Sequence, residues 1–245
     1  MRLNRDDIPL GRMVTRREAL ALMGLSAAAL LAARPVRAAP ADANRAPSCV
    51  VRPSQTQGPF FVEERLKRSD IRADPSTGEI KPGVPLHLTF NVSRISSAGC
   101  TALADAQVDV WHCDAGGRYS DVRDFVSSTV GQKFLRGYQM TDAVGNAEFI
   151  TVDPGWYDGR AVHIHCKIRT VSSSGQRYEF ASQLYFDDTL TDRVHAVAPY
   201  ATHGRRTIRN AGDALFRHGG DQLLLSPTQD AQGYAATFDI GLQIS

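Results

Sequence analysis

The chain is expected to fold as an all-β domain, a sandwich or a barrel, and three features of its 245 residues carry that expectation. Apolar and polar residues alternate in short runs, as they do in strands with one buried face. Clusters of Gly, Pro, Asn and Asp separate the runs. Helical periodicity is thin. In order, the runs are "PLHLTFNVSRI" (Pro85–Ile95), "AQVDVWHCD" (Ala106–Asp114), "AEFITV" (Ala147–Val152), "AVHIHCKIR" (Ala161–Arg169), "SQLYFD" (Ser182–Asp187) and "YAATFDIGLQI" (Tyr234–Ile244). "TDRVHAVAPY" offers one or two helical turns and "AGDALFRHGG" another. No repeat, charge block or internal linker divides residues 49–245, which read as one domain.

The N-terminal residues read as an address rather than as part of the fold. Arg16 and Arg17 precede an alanine-rich apolar run from Ala19 to Ala33, and small residues follow at Ala38 and Ala39. That order predicts an export signal over residues 1–38 of the twin-arginine type, hence a periplasmic protein. The run is shorter than the roughly 20 apolar residues that span a bilayer. Residues 39–48, rich in Ala, Pro and Asp, read as a flexible lead. Residues 1–38 hold 7 of the 28 basic and 3 of the 26 acidic residues, which leaves 21 against 23 beyond them. A charge near −2 is no footprint for nucleic acid or for an anionic membrane surface. The spacing of Cys49, Cys100, Cys113 and Cys166 matches no zinc pattern. Four cysteines allow three pairings, of which Cys49 with Cys100, both in loop-like contexts, is the one expected.

The chemistry gathers around "VDPGWYDGRAVHIHCKIR". Alternation on a strand puts His163 and His165 on one face with Cα atoms roughly 6.6–7 Å apart, close enough for two imidazoles to meet one ion. Val162, Ile164, Cys166 and Ile168 then face the core. A histidine pair on a solvated face is the bland alternative. Tyr157 sits in a tight loop just before this strand, and Tyr119 ends "VDVWHCDAGGRYSD", where a strand runs into a Gly-Gly turn. Two phenolates with two imidazoles favour a hard trivalent cation, ferric iron, over zinc. Either tyrosine alone reads as a half-buried turn residue. Trp111 reads as core, and His112 as a hydrogen-bonded core histidine. His195, His203 and His218 lie in polar, loop-like contexts that predict solvent exposure.

"PGWYDGRAVHIHCKI", "VDVWHCDAGGRYSD", "TQGPFFV" and "SQLYFDD" come in an order and spacing that resemble the intradiol ring-cleavage dioxygenases of the protocatechuate 3,4-dioxygenase type, from about Cys49 to about Asp188. The resemblance implies a mixed β-sandwich with non-heme Fe(III) near one end of its sheets, held by Tyr119, Tyr157, His163 and His165. It implies that Arg160 and Gln183 lie beside the substrate and oxygen site. The implied reaction inserts both atoms of O2 between the two hydroxylated carbons of a catechol-type diol and gives a cis,cis-muconate. Two departures stand out. The stretch from Tyr157 to Arg160 is very short, and no long helical segment precedes the strands, so a helical dimer linker is not expected. A homo-oligomer of another kind stays open.

Catechol, protocatechuate and hydroxyquinol share the chelating diol, so these motifs do not choose among them. In the loop Asp121–Arg136, Arg123, Lys133 and Arg136 are all candidates to meet a substrate carboxylate. Two rivals account for less. A secreted β-sandwich binding module without iron leaves the Tyr, Tyr, His, His set as coincidence. A cupin-like metalloenzyme would carry a Glu shortly after the histidines, where this chain has Lys167, Ile168 and Arg169.

Overall fold

The computed structural model describes residues 49–123 and 128–244. Each alternating run becomes a strand, because the period of two lets one face pack while the other meets a different neighbour. The strands are β1 (Pro85–Ser96), β2 (Gly99–Ala102), β3 (Gln107–Trp111), β4 (Arg136–Met140), β5 (Asn146–Val152), β6 (His163–Val171), β7 (Arg177–Tyr185), β8 (Thr228–Gln229) and β9 (Tyr234–Gln243). One sheet runs β2-β1-β9-β8, with β5 also paired to β1. Its β1–β9 pair is parallel and the rest antiparallel, which makes the sheet mixed. The other sheet runs β4-β3-β6-β7 and is antiparallel throughout.

The core lies between the sheets. Leu86, Leu88, Phe90 and Val92 of β1 and Ala236, Phe238 and Ile240 of β9 pack in one cluster with Val108, Val110, Ile164, Cys166, Ile168 and Leu184 of the other sheet. Phe90 meets Phe149 and Phe238 edge-on, with ring centroids 5.9 and 5.8 Å apart. Burying each large apolar side chain contributes about 1.5–3 kcal/mol.

Strands β2, β4 and β8 are absent from the sequence reading. "RGYQM" does not alternate, and it pairs because β3 offers it a ladder from Gln107↔Met140 to Trp111↔Arg136. The helix α1 covers Asp188–His195 and starts three residues before the expected "TDRVHAVAPY". Asp187 caps it, accepting from the backbone N–H of Thr189 and Leu190, and Leu190, Thr191 and Val194 are buried. "AGDALFRHGG" runs from within one 3-10 turn, Asn210–Gly212, to the start of another, Gly220–Leu223. Cys49 is bonded to Cys100, while Cys113 and Cys166 are free and buried. Among the described residues no helix is long and apolar enough to cross a membrane. The expected export signal and flexible lead, residues 1–48, lie outside the described residues.

His112 is the core histidine its pattern predicts. Its Nδ1 lies 2.8 Å from the carbonyl oxygen of Cys113 and its Nε2 2.6 Å from Thr151 Oγ1. Two other histidines depart from expectation. His195 stacks on Tyr200 and donates to the Pro154 carbonyl, and His203 packs on Trp156 and donates to its carbonyl. Both close the α1 side over the turn that carries Tyr157. His218 is exposed, as expected.

Asp153, just ahead of that turn, is buried, and its Oδ1 has no hydrogen-bond partner among the described residues. Burial alone pushes its carboxyl up from 3.8 to about 8. The unfolded group loses its proton near 3.8 and the folded one keeps it to about 8, so folding takes up a proton in that window. Stability therefore falls as pH rises through it. Asp153→Asn should melt above the unaltered protein by a margin that grows from pH 4 to 8 and is flat beyond, at about 2–4 °C per kcal/mol. Thermal melts across that range check it, and a margin independent of pH contradicts it.

Candidate metal centre and active site

Strand register gathers the site. On β6, His165 lies opposite Trp111 of β3 and Gln183 of β7, and His163 lies opposite Tyr185. Directly opposed residues share a face, so Trp111, Gln183 and Tyr185 stand beside the two histidines. Trp111 is buried as expected, but in a cluster with Cys113 and Tyr119 rather than in the main core, and it stacks on the His165 ring at 5.0 Å.

The histidine face is not solvated, which removes the bland reading: His163 is 2% and His165 0% exposed. A strap of chain, residues 55–61, covers it. Gln55 N–H donates to the Ala181 carbonyl, and the Thr56 carbonyl accepts from Gln183 Nε2 at 3.0 Å. Lys167 donates to Gln57 Oε1 at 3.1 Å and lies over the Phe61 ring, whose edge meets Trp111. The strap passes close to His165 at Gly58, where φ is +71° and a Cβ would sit 3.0 Å from the imidazole Cε1. "TQGPFF" is therefore the site's cover.

Tyr119 returns to the site through the Gly-Gly turn, with Asp114 Oδ1 accepting from the N–H of Gly116 and Arg118. Gly117 has φ +80° and lies against the Trp156 carbonyl, a position no larger residue could occupy. Phe60 stacks on the Tyr119 ring at 4.4 Å. The Tyr119 ring lies 5.7 Å from that of Tyr157 and 5.9 Å from that of His165.

The donor atoms converge. Tyr157 Oη is 3.2 Å from His163 Nε2, which is 3.1 Å from His165 Nε2. Ligand atoms about 2.1 Å from one ion at 90–110° would be about 3.0–3.4 Å apart. His163 Nδ1 lies 2.6 Å from the Ala161 carbonyl, which holds the proton on Nδ1 and leaves Nε2 bare. Burial pushes Tyr157 up to about 12 and Tyr119 well above its ordinary value. Burial, with the Arg160 charge adding, lowers His163 to about 3, and burial and the neighbouring His163 hold His165 well below the usual range. The imidazoles are thus neutral, the ligating form, and only a cation would make phenolates of the tyrosines.

The Tyr119 hydroxyl is buried without a hydrogen-bond partner among the described residues, though close enough to Tyr157 for the two phenols to perturb each other. An orphan of this kind costs about 1–3 kcal/mol. Among the described residues no three His, Cys, Asp or Glu side chains gather in a metal-binding group. A cation here would need the phenols as well, and this hard donor set fits ferric iron.

Arg160 borders the four. Its Nε donates to Asp213 at 2.9 Å, one terminal nitrogen donates to Gln183 Oε1 at 2.5 Å, and the other is 3.5 Å from His163 Nε2. Arg160 and Gln183 are therefore bonded partners. Asp213 and Tyr185 belong to the same network and escaped the sequence reading: Tyr185 stands two residues after Gln183 in "SQLYFDD", where alternation puts both on one face, while no local pattern marks Asp213. Of the basic residues considered for a substrate carboxylate, Lys133 pairs with Glu64. Arg136 is buried on Ser120 and the Phe60 carbonyl. Arg123 is exposed.

A family model described as "Dioxygenase" matches residues 56–242. The chain is 27% identical over 163 residues to a chlorocatechol 1,2-dioxygenase of Pseudomonas putida, 58% of each chain. It is 34% identical over 86 residues to a protocatechuate 3,4-dioxygenase beta chain of Burkholderia cepacia, 34% of this chain and 37% of that one. These matches span 58% and 37% of the relatives' lengths. A solved intradiol ring-cleavage dioxygenase from Tetranychus urticae superposes with TM-score 0.68 at 26% identity, over 80% of this chain and 94% of that one. With a family model covering both sheets and the whole candidate centre, the chain belongs to the intradiol ring-cleavage dioxygenase family.

Proposed function

We propose that this protein is a non-heme Fe(III) enzyme that inserts both atoms of O2 between the hydroxylated carbons of a catechol-type diol, giving a cis,cis-muconate-type product. The observation that carries the reading is the convergence of two phenols and the Nε2 atoms of two buried imidazoles, His163 with its proton held on Nδ1. Tyr119, Tyr157, His163 and His165 would hold the iron. Ferric iron, when bound, supplies a Lewis acid on which a diol can chelate and lose electron density.

The chain's own residues do the rest. His163 and His165, locked on a strand between β3 and β7, present Nε2 without rearrangement. Tyr119, clamped under Phe60, is the fixed phenol. Tyr157 is half-buried on a short turn, so it is the phenol free to leave and to take a diol proton at its oxygen. Arg160 turns one N–H edge to the pocket, where it stabilises negative charge on the ring during cleavage. The strap and the Gly-Gly turn exclude water from the histidine side. A binding module without iron would leave this convergence, and the unpartnered Tyr119 hydroxyl, without a reason.

We place the protein outside the cytoplasm. The twin-arginine pattern in residues 1–38 supports this, as does the Cys49–Cys100 bond, which persists in an oxidising compartment.

Iron analysis with oxygen uptake over a panel of catechols tests the reading, and a colourless, iron-free protein after iron-replete expression rules it out. Tyr119→Phe should bleach most of the visible phenolate-to-iron band, and His163→Ala or His165→Ala should lose the metal. Arg160→Ala should keep iron and colour while turnover falls about 10²–10³-fold. Changing Arg16 and Arg17 together to Lys should strand the protein in the cytoplasm of a host with twin-arginine export, as cell fractionation would reveal.

A further inference from the structure

The Arg160 guanidinium is held on three sides. Nε donates to Asp213 Oδ2, and one terminal nitrogen reaches Gln183 Oε1 and, at 3.4 Å, the Tyr185 hydroxyl. Only the remaining edge faces His163 Nε2. Among these anchors Asp213 alone carries charge, and its side chain is 0% exposed. The same Oδ2 accepts from Ala161 N–H at 2.8 Å. Oδ1 accepts from the N–H of Leu215 at 2.7 Å and of Phe216 at 3.2 Å. The Leu215 carbonyl accepts from Gln55 Nε2 at 2.9 Å, and Gln55 Oε1 accepts from the Tyr185 hydroxyl at 2.9 Å, which closes the ring of contacts. Four donors fill the carboxylate's lone-pair directions, so Asp213 has none left for a substrate.

We propose that Asp213 is a positioning residue for ring cleavage: its carboxylate fixes the Arg160 guanidinium so that the free N–H edge meets the negative charge developing on the diol. The proposal rests on the ring-cleavage reading of the site. Gln183 and Tyr185 are neutral, and a guanidinium tethered by them alone is a half-buried cation without a counter-charge. It would shift toward water, and a misplacement of about 1 Å costs about 10²-fold in rate. Asparagine cannot substitute. Its NH2 would face either Arg160 and Ala161 or Leu215 and Phe216, donor against donor.

The test is a double-mutant cycle on the iron-loaded protein. Asp213→Asn should keep the visible band and iron content, with kcat down about 10²-fold and KM little changed. In an Arg160→Ala background the same change should lower kcat no further. Millimolar guanidinium should restore part of the rate to Arg160→Ala and none to the Arg160→Ala/Asp213→Ala double variant. That comparison does not use Asp213→Asn, and its double variant removes both charges together, so it decides the matter even if Asp213→Asn does not fold.

Wild-type turnover in Asp213→Asn overturns the proposal, as does an equal fall in both backgrounds or equal rescue of both rescued variants. Loss of the band in Asp213→Asn overturns it too, because the carboxylate would then be holding the ligand strand rather than the guanidinium. If the unaltered protein binds no iron and consumes no oxygen with any catechol, the ring-cleavage reading fails and takes this proposal with it. If the unaltered protein is active, the variants judge Asp213 alone.

Discussion

Strand β6 is buried on both faces from His163 to Ile168, and the rest of the structure depends on that constraint. One face gives Ile164, Cys166 and Ile168 to the core between the sheets, and the other gives His163, His165 and Lys167 to the space under the strap. A strand dry on both sides must satisfy every polar group it carries. Ala161 takes the Nδ1 proton of His163, and Gln57 and Glu179 take the ammonium of Lys167. What remains is His165 Nδ1, without a hydrogen-bond partner among the described residues, and a pair of imidazole Nε2 atoms and two phenols facing one another. That unfinished coordination is the physical content of the site.

Around it the molecule builds in shells, each with its own source of rigidity. Backbone register sets the histidines and Gln183, so their spacing is fixed by the sheet and not by loops. The tyrosines arrive on turns, and each is held by contact: Tyr119 by Phe60, and the Tyr157 turn through Trp156 against His203. Arg160 has the longest side chain in the site and the most anchors, as expected of a charge that must stay put in a dry pocket. Charge-assisted bonds from a buried carboxylate are the strongest available for that task.

The alternating runs were legible because a half-buried strand writes its period directly into the chain, and β1, β3, β5, β6 and β9 follow from it. The sequence pattern marks β7 only from Ser182, whereas the strand begins at Arg177. β4 carries no period, since "RGYQM" is half-buried along most of its length. The four donor residues stand in two short motifs, each legible because the motif is local. Trp111 is buried as its pattern predicts, but its place against His165 is not legible, since the sequence does not say which sheet face receives the strap. His195 and His203 lie in polar stretches yet bond carbonyls 41 and 47 positions earlier, a pairing that only the folded chain creates.

The sequence alone determined the all-β architecture, the two-faced character of β6 and the donor types near it, because each depends on residues within a few positions of one another. Tertiary structure decided the rest: that the histidine face is dry, that Gln183 bonds Arg160, and that Asp213, 53 residues from Arg160, closes the network. Those outcomes depend on which distant segments share a volume, and hydrogen bonds between such segments leave no period in the chain.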